Sequence, residues 1–578
     1  MSKFIKYKRI SIPVIIFLVM AVLTAGALAG LPNWVPGPPP WAGEEGPPPH
    51  AGTVTCLTPE KAAQLSSDEW VAEQAAVEAA ILADFAAGTF TLDNPLVVVN
   101  PYGNAPLSAL VLFETEEAVS VDLVVKGKDA SVDIKHSFSE VATTHIIPVY
   151  GLYEGANTVV FATSAGDSSE IDITTGELPQ NVKSLNATVN VEGDERMYPG
   201  ITFACVNNWA TNGVVVGFDA KGDVRSLLPN IRWTTVPLAN GRILAASPKF
   251  ERGGYFFAGI VEVDLMGKVH TEVLRNGVHH GYRKTLNGNW IVIADMVGRD
   301  TVEDHIVELD GETGQVVRSW DMRELWDLHE YVSSPTYDYN SQDWLHVNSI
   351  WLCPGEDAIL VSGRHQDSFF KVDLAKSEIV WVMTEDYEQY TDAFKEKLLT
   401  PIGDDFEYVW GQHNISMMPN GRILVFDNGD GRSKDSDKMK PFTDPDNYSR
   451  VVIYEVDEKN MTVKQVWQYG KERYQELFSA HICGMDAFGN NHFLMNFGGA
   501  AEGNIPGILA MMNPGLQRAF FIEWRDDEVI WELEISGANV YQTDRMDLYD
   551  INQGYYELGV NPGKQLGTLF TWKEGKTN

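Results

Sequence analysis

From about residue 195 onward, short apolar runs alternate with turns rich in Gly, Asn and Asp, and two kinds of hairpin take turns along the chain. One kind is an apolar strand, an acid, a short polar turn and a second apolar strand. It reads VVVGFDAKGDVRSL around Asp219, GIVEVDLMGKVHTEV around Asp264 and HIVELDGETGQVVRSW around Asp310. It returns as FFKVDLAKSEIVWVM around Asp373, VVIYEVDEKNMTVKQVW around Asp457 and AFFIEWRDDEVIWELE around Asp526. The other kind falls between successive copies. It starts at Trp233 (WTTVPLANGRILAAS), His280 (HGYRKTLNGNWIVIAD), His346 (HVNSIWLCPGEDAILVSGR), His413 (HNISMMPNGRILVFDNG) and His481 (HICGMDAFGNNHFLMNFG). Two strand pairs per unit, repeated six times, predict an all-β chain whose residues 195–578 form a six-bladed β-propeller. A linear β-solenoid fits less well, because the unit is long and four-stranded.

Upstream the texture changes. Residues 90–180 show short alternating strands between Gly, Asn and Pro turns, which predicts an N-terminal β-sandwich. Residues 58–88 are alanine-rich and open on Thr58 with Glu60 behind it, the pattern of a short helical segment. Residues 30–57 are rich in Pro and Gly and read as an extended linker. Residues 1–29 place Lys3, Lys6, Lys8 and Arg9 ahead of an apolar run that ends in Ala27-Leu28-Ala29, so a cleaved signal peptide and a periplasmic or extracytoplasmic protein are expected. The same run is long enough to stay as an uncleaved membrane anchor.

Charge narrows the partners. A formal net charge of −36 argues against nucleic acid and anionic membrane surfaces. It also means that any anionic substrate must find cations supplied locally. The four cysteines, Cys56, Cys205, Cys353 and Cys483, show no metal-binding spacing and read as structural or free. There is no phosphate-binding glycine loop and no dinucleotide fingerprint, so a nucleotide-borne donor and other cofactors are not expected. The stretch DNGDGRSKDSD (427–437) starts like a calcium loop, but glycines fall at its third and fifth positions and Lys438 at the twelfth; it reads as a solvated loop.

Candidate chemistry follows from the phase of the repeat. In a propeller, equivalent positions of successive blades face one axial region. Four of the 13 histidines, His280, His346, His413 and His481, open consecutive units spaced 66, 67 and 68 residues apart, and Trp233 opens the unit before them. Asn348 lies two residues beyond His346, on the same strand face. Arg364, in VSGRHQDS, offers a rigid donor fork suited to tetrahedral oxyanions. Such a ring suits an anion pocket with an imidazole nucleophile. Inserts at 322–344 and 384–410, rich in Tyr, Trp and acids, precede His346 and His413 and are expected to wall the mouth of the site for an aryl substrate. Two rivals stand beside this reading: four histidines holding one iron, and a propeller that binds without catalysing.

NPYGNAPLSALVLFET, DWLHVNSI, VSGRHQD and GQHNISMMPNGRILVFDNG resemble the bacterial arylsulfate sulfotransferase family, whose members use no nucleotide donor. The resemblance covers nearly the whole mature chain. It implies ping-pong transfer of a sulfuryl group from a phenolic sulfate ester to an acceptor phenol, with no cofactor and no metal, and it suggests a homodimer. His413 falls where the family places a transiently sulfated histidine. His346, Asn348 and Arg364 match positions that bind the sulfuryl oxygens, and His280 matches a further ring histidine. His279 is its neighbour, but His280 has the same offset to its Asn-Gly turn as His413. Substrate contact is also expected of His481, His279 and Trp233. At His481 the chain departs from the threonine that the resemblance suggests.

Overall fold

The acid that recurs in the first kind of hairpin has a local structural role. Asp219 Oδ1 accepts from the backbone N–H groups of Lys221 and Asp223, both at 3.0 Å. Asp264 accepts from Met266 (3.0 Å) and Lys268 (2.9 Å). Asp310 and Asp457 do the same for the two N–H groups of their own turns. A short carboxylate satisfies donors that the turn leaves open, so an acid at that place closes the hairpin. The sixth copy closes through its backbone instead. Asp526 and Asp527 have φ of +49° and +70°, the two left-handed residues of a two-residue hairpin loop.

The computed structural model describes residues 67–207, 214–252, 256–296, 298–501, 514–550 and 552–569. Strands make up 47% and helices 10%, which places the chain in the all-β class. The expected signal peptide (1–29) and linker (30–57) lie outside the described residues. Among those residues, no helix is long and apolar enough to cross a membrane.

Five of the six hairpins of the first kind each join one of the second to make a four-stranded antiparallel set. In the His413 set the order is His413–Met417, Ile423–Asp427, Arg450–Asp457, Thr462–Tyr469. Two sets are fused through the 16-residue strand Val269–Lys284. Its residues 269–278 pair back with Phe256–Val263, and 278–284 pair forward with Trp290–Ala294. One set takes its strands from both ends of the chain: Asn539–Met546 pairs with Ile201–Asn207 in the register Val540↔Val206 and Asp544↔Phe203. Among the described residues, no sheet closes on itself. The edge strands carrying the ring positions nevertheless touch in sequence. Arg232–Pro237 meets Val269–Lys284, which meets Val347–Leu352, then His413–Met417, Gly484–Gly489 and Asn539–Met546, and the last meets Arg232–Pro237 again.

Residues 96–174 form two further antiparallel sheets, of three and four strands. Phe113 of one stands edge-on to Phe161 of the other at 5.9 Å, inside a buried cluster that also takes in Val215, Phe521 and Val540. Residues 67–87 of the expected helical segment form one helix, Ser67–Ala87. Its inward face is partly polar. Gln74 exchanges two hydrogen bonds with the backbone of Val269, at 2.9 and 3.0 Å, and Glu78 pairs with buried Lys268 at 2.5 Å.

The two inserts differ from expectation. Most of their large aromatics pack on one another: Trp326 stacks on Phe394 at 4.7 Å and meets Trp344 edge-on at 5.7 Å, all three buried; Tyr337 is the exception, its ring 4.8 Å from the Arg364 guanidinium. Burying these rings removes more apolar surface from water than any exposed wall could.

Candidate active site

Strand geometry aims the ring residues. In or just before each of the six contacting edge strands, one non-glycine residue has a left-handed backbone: Trp233 (φ +67°), His280 (+48°), His346 (+53°), Asn414 (+44°), Ile482 (+46°) and Gln542 (+63°). The pairing register slips beside five of these positions. Bulges of this kind turn a side chain out of the pleat, and non-glycine residues are held left-handed where the surroundings demand it. The rings converge as a result. His280 lies 5.0 Å from His346 and 5.9 Å from Tyr541, between ring centroids. Tyr541 lies 6.1 Å from His413 and 4.8 Å from Trp233. So Trp233, His280, His346 and His413 do meet. His279 is fully buried, with Nε2 3.5 Å from Asp295 Oδ1 and its ring against Phe256 and beside His280.

His413 is held in one tautomer. Asn428 Nδ2 donates to the Ser479 carbonyl at 2.6 Å. That turns Asn428 Oδ1 toward His413 Nδ1, at 2.8 Å. An amide oxygen only accepts, so Nδ1 carries the proton and Nε2 keeps its lone pair. Burial first, and then the Arg364 charge, hold the His413 pKa well below its ordinary value. It is a neutral imidazole with a free nitrogen.

The opposite wall is acidic. Glu303 Oε2 lies 3.2 Å from His280 Nε2 and 2.8 Å from His346 Nδ1, and His346 Nδ1 is also 2.9 Å from Asp343 Oδ2. Burial works against a charged His346, but Glu303 and Asp343 raise its pKa to about 9, so it is an imidazolium at neutral pH. His280 goes the other way. Burial lowers its pKa despite Glu303; its Nε2–H faces the carboxylate and its Nδ1 faces the Tyr541 hydroxyl at 3.1 Å.

Arg364 connects the two walls. Nη2 donates to Asp430 Oδ2 at 2.8 Å, the guanidinium lies 4.8 Å from the centre of the Tyr337 ring, and the Tyr337 hydroxyl donates to the same Asp430 oxygen at 3.0 Å. Burial pushes the Asp430 carboxyl up to about 7 even against that cation. Asn348 Nδ2 donates one hydrogen to the Gln412 carbonyl at 2.9 Å and has a second to give. His481 lies in the field of Arg364, and its pKa is lowered to about 3, by burial first. A side chain at Gly499 would come within 2.3 Å of the His481 carbonyl oxygen, so only glycine fits there. Among the described residues, Arg364 Nε, His481 Nε2 and Asn348 Oδ1 are buried without a hydrogen-bond partner. Buried polar atoms without partners call for an explanation, and a bound ligand is one.

These residues could also hold metals, but not as a four-histidine site. Among the described residues, ligand atoms come within 4.8 Å of one another in His279, His280 and Glu303, and separately in Asp343, His346 and His365. Neither set includes His413 or His481.

The sequence model of the arylsulfotransferase family matches residues 186–542, and that of the arylsulfotransferase Ig-like domain matches residues 96–176. The chain belongs to the arylsulfotransferase family. The arylsulfate sulfotransferases of Escherichia coli O6:H1 and Lelliottia amnigena are each 23% identical to it, over 77% of this chain and 91% of theirs. It is therefore an enzyme of the arylsulfate sulfotransferase type. Among solved structures, a putative 6-phosphogluconolactonase from Bacteroides uniformis aligns over 75% of this chain and 98% of its own, at 10% identity and a TM-score of 0.29, too low to carry an argument.

Several residues of this arylsulfotransferase site escaped the sequence reading. The stretch 427–437, read as a solvated loop, is exposed only from Asp435 onward. Asp427 accepts from the N–H groups of Trp410 and Gly429 and pairs with buried Arg450 at 2.8 Å, which folds Asn428 and Asp430 into the site. The available signal was position, since DNGD directly follows the His413 hairpin. Glu303, Asp343, Tyr337 and Tyr541 lie outside both hairpin patterns.

Proposed function

We propose that the contacting edge strands form the axle of a six-bladed propeller and that a sulfuryl group passes through His413 at one end of it. The closed cycle of strand contacts and the repeated left-handed residue support that architecture. The single observation carrying the chemistry is the Ser479–Asn428–His413 chain of hydrogen bonds, which leaves Nε2 unprotonated beside Arg364.

The donor is an aryl sulfate ester and the acceptor a phenol, as the names of the relatives imply. In the first half-reaction the His413 Nε2 lone pair forms a bond to sulfur and the sulfur–aryl oxygen bond breaks. The departing phenolate takes the Nε2 proton of the His346 imidazolium. Arg364, the second amide hydrogen of Asn348 and the His346 ring stabilise charge on the sulfuryl oxygens. In the second half the acceptor phenol returns its proton to neutral His346 as its oxygen bonds to sulfur, and the sulfur–nitrogen bond breaks. No water is needed, and both half-reactions use one cleft. Asn428 suits this traffic, since an amide holds the Nδ1 proton without accepting it.

Intact-mass measurement after brief exposure to 4-nitrophenyl sulfate tests the covalent step. One added sulfuryl group is expected, absent in His413→Ala; an unlabelled wild-type protein that still releases phenol would refute the intermediate. We also infer export to the periplasm. Fractionation with N-terminal sequencing tests it, and full-length cytoplasmic protein would exclude it.

A further inference from the structure

Among the described residues at the reacting centre there are two cations, and each is already neutralised. Arg364 lies 2.8 Å from Asp430, and His346 lies 2.8 Å from Glu303 and 2.9 Å from Asp343. Glu303 and Asp430 are wholly buried, and Asp343 is partly exposed. Behind them Asp367 lies in the field of both Lys434 and Arg364, so that pair adds no surplus cation either. Sites that bind phosphate usually gather an excess of positive charge. At pH 8, where the Asp430 carboxyl, held at about 7, is mostly ionised, this one meets its ligand with two cations facing three carboxylates.

The balance matters because two common esters share one shape. A sulfate ester is a monoanion across the physiological range. A phosphate monoester has the same tetrahedral outline but becomes a dianion above its second ionisation, near pH 6. Shape and donor placement cannot separate them. An extra uncompensated charge in a buried site can, because burial makes each unpaired charge expensive.

We propose that Asp430, together with Glu303 and Asp343, makes the site a charge filter that admits monoanionic tetrahedral esters and refuses dianionic ones of the same shape. The inference rests on the sulfuryl-transfer reading and adds how that site excludes phosphate monoesters. Asp430 is the strongest contributor. It neutralises the guanidinium, the one cation here that no change of pH removes, and among the described residues its Oδ1 is buried without a hydrogen-bond partner.

The test needs no mutation at first. Wild-type enzyme turning over an aryl sulfate at pH 8 is inhibited with 4-nitrophenyl phosphate, a dianion, and with 4-nitrophenyl methylphosphonate, a monoanion of like shape. The methylphosphonate is expected to bind at least about tenfold more tightly, the scale of one buried charge. Equal or tighter binding of the phosphate overturns the proposal. Asp430→Asn is then expected to narrow the gap toward unity at pH 8, and Glu303→Gln to narrow it independently at pH 6.5, where His346 keeps its proton, so one variant suffices if the other fails to fold. A gap unchanged in a folded variant of each overturns the assignment to these carboxylates. Should wild-type enzyme release no phenol from aryl sulfates, the sulfuryl-transfer reading falls. Calorimetric binding of the two inhibitors still reports the charge preference on its own.

Discussion

His413 and His346 open sister hairpins of one repeat, 67 residues apart, yet the molecule treats their imidazoles in opposite ways. Around His413 the partners are an amide oxygen, the ring of Tyr541 and the field of an arginine. Around His346 they are two carboxylates. The first ring is held neutral well below its ordinary pKa and the second charged up to about 9. Repetition of a fold delivers like residues to one place; the residues behind them divide the labour. One wall keeps a lone pair, and the other keeps a proton.

The sharpest way to break this contrast is to remove each ring in turn and change the leaving group. His413→Ala should lower turnover by about 10⁴-fold or more with every donor, because in the proposed mechanism the bond-forming atom is gone. His346→Gln should lower it by about 10²-fold with poorly activated phenyl sulfates, the usual worth of a positioned acid. A strongly acidic phenol leaves without a proton, so 4-nitrophenyl sulfate should recover most of the His346→Gln loss and none of the His413→Ala loss. Equal recovery in both variants would erase the distinction between the walls.

Exchanging the supporting groups tests the cause. Asn428→Asp places a carboxylate on His413 Nδ1, which must raise that ring's pKa and protonate the nucleophile at low pH. Activity should fall progressively as the pH is lowered toward 5 and recover toward pH 8, because the added carboxylate favours the protonated ring. Loss of equal size at both pH values would mean that Asn428 acts by packing alone. Glu303→Gln works in the other direction. Without that carboxylate the His346 pKa drops from about 9, so the imidazolium is lost at lower pH and the alkaline limb of the donor half-reaction moves down. Single-turnover phenol release should fall about three- to tenfold at pH 8 and little at pH 6.

How far the sequence foretold this follows from where each residue gets its position. The outer hairpins were legible because an acid closes each turn within a few residues, as at Asp219 and Asp264. The ring was legible because His280, His346 and His413 share a phase, although the left-handed residue falls on His280 and His346 themselves and on Asn414, just after His413. Tyr541 occupies the same ring and was missed for a topological reason. Its strand pairs with Ile201–Asn207 from the other end of the chain, so no turn follows it and no hairpin pattern exists to be seen. Asn428, Asp430 and Glu303 were missed because local signals for turn and loop mask residues whose role depends on partners far away, such as Ser479 for Asn428 and Arg364 for Asp430.

His481 is the position where the contrast should matter least, and the reason is its charge. Burial and Arg364 lower its pKa to about 3, so it is neutral from pH 5 to pH 9, and its Nε2 is buried without a partner among the described residues. A neutral imidazole there can offer one hydrogen bond to a sulfuryl oxygen, and a threonine hydroxyl can do the same from a shorter reach. His481→Thr should therefore change the donor KM by about two- to fivefold, the worth of one neutral hydrogen bond, with turnover nearly kept. The effect should be flat from pH 5 to pH 9, since nothing at that position titrates there. A His481→Thr profile that changes shape with pH would show that this ring exchanges protons after all. The site would then have three working imidazoles instead of two.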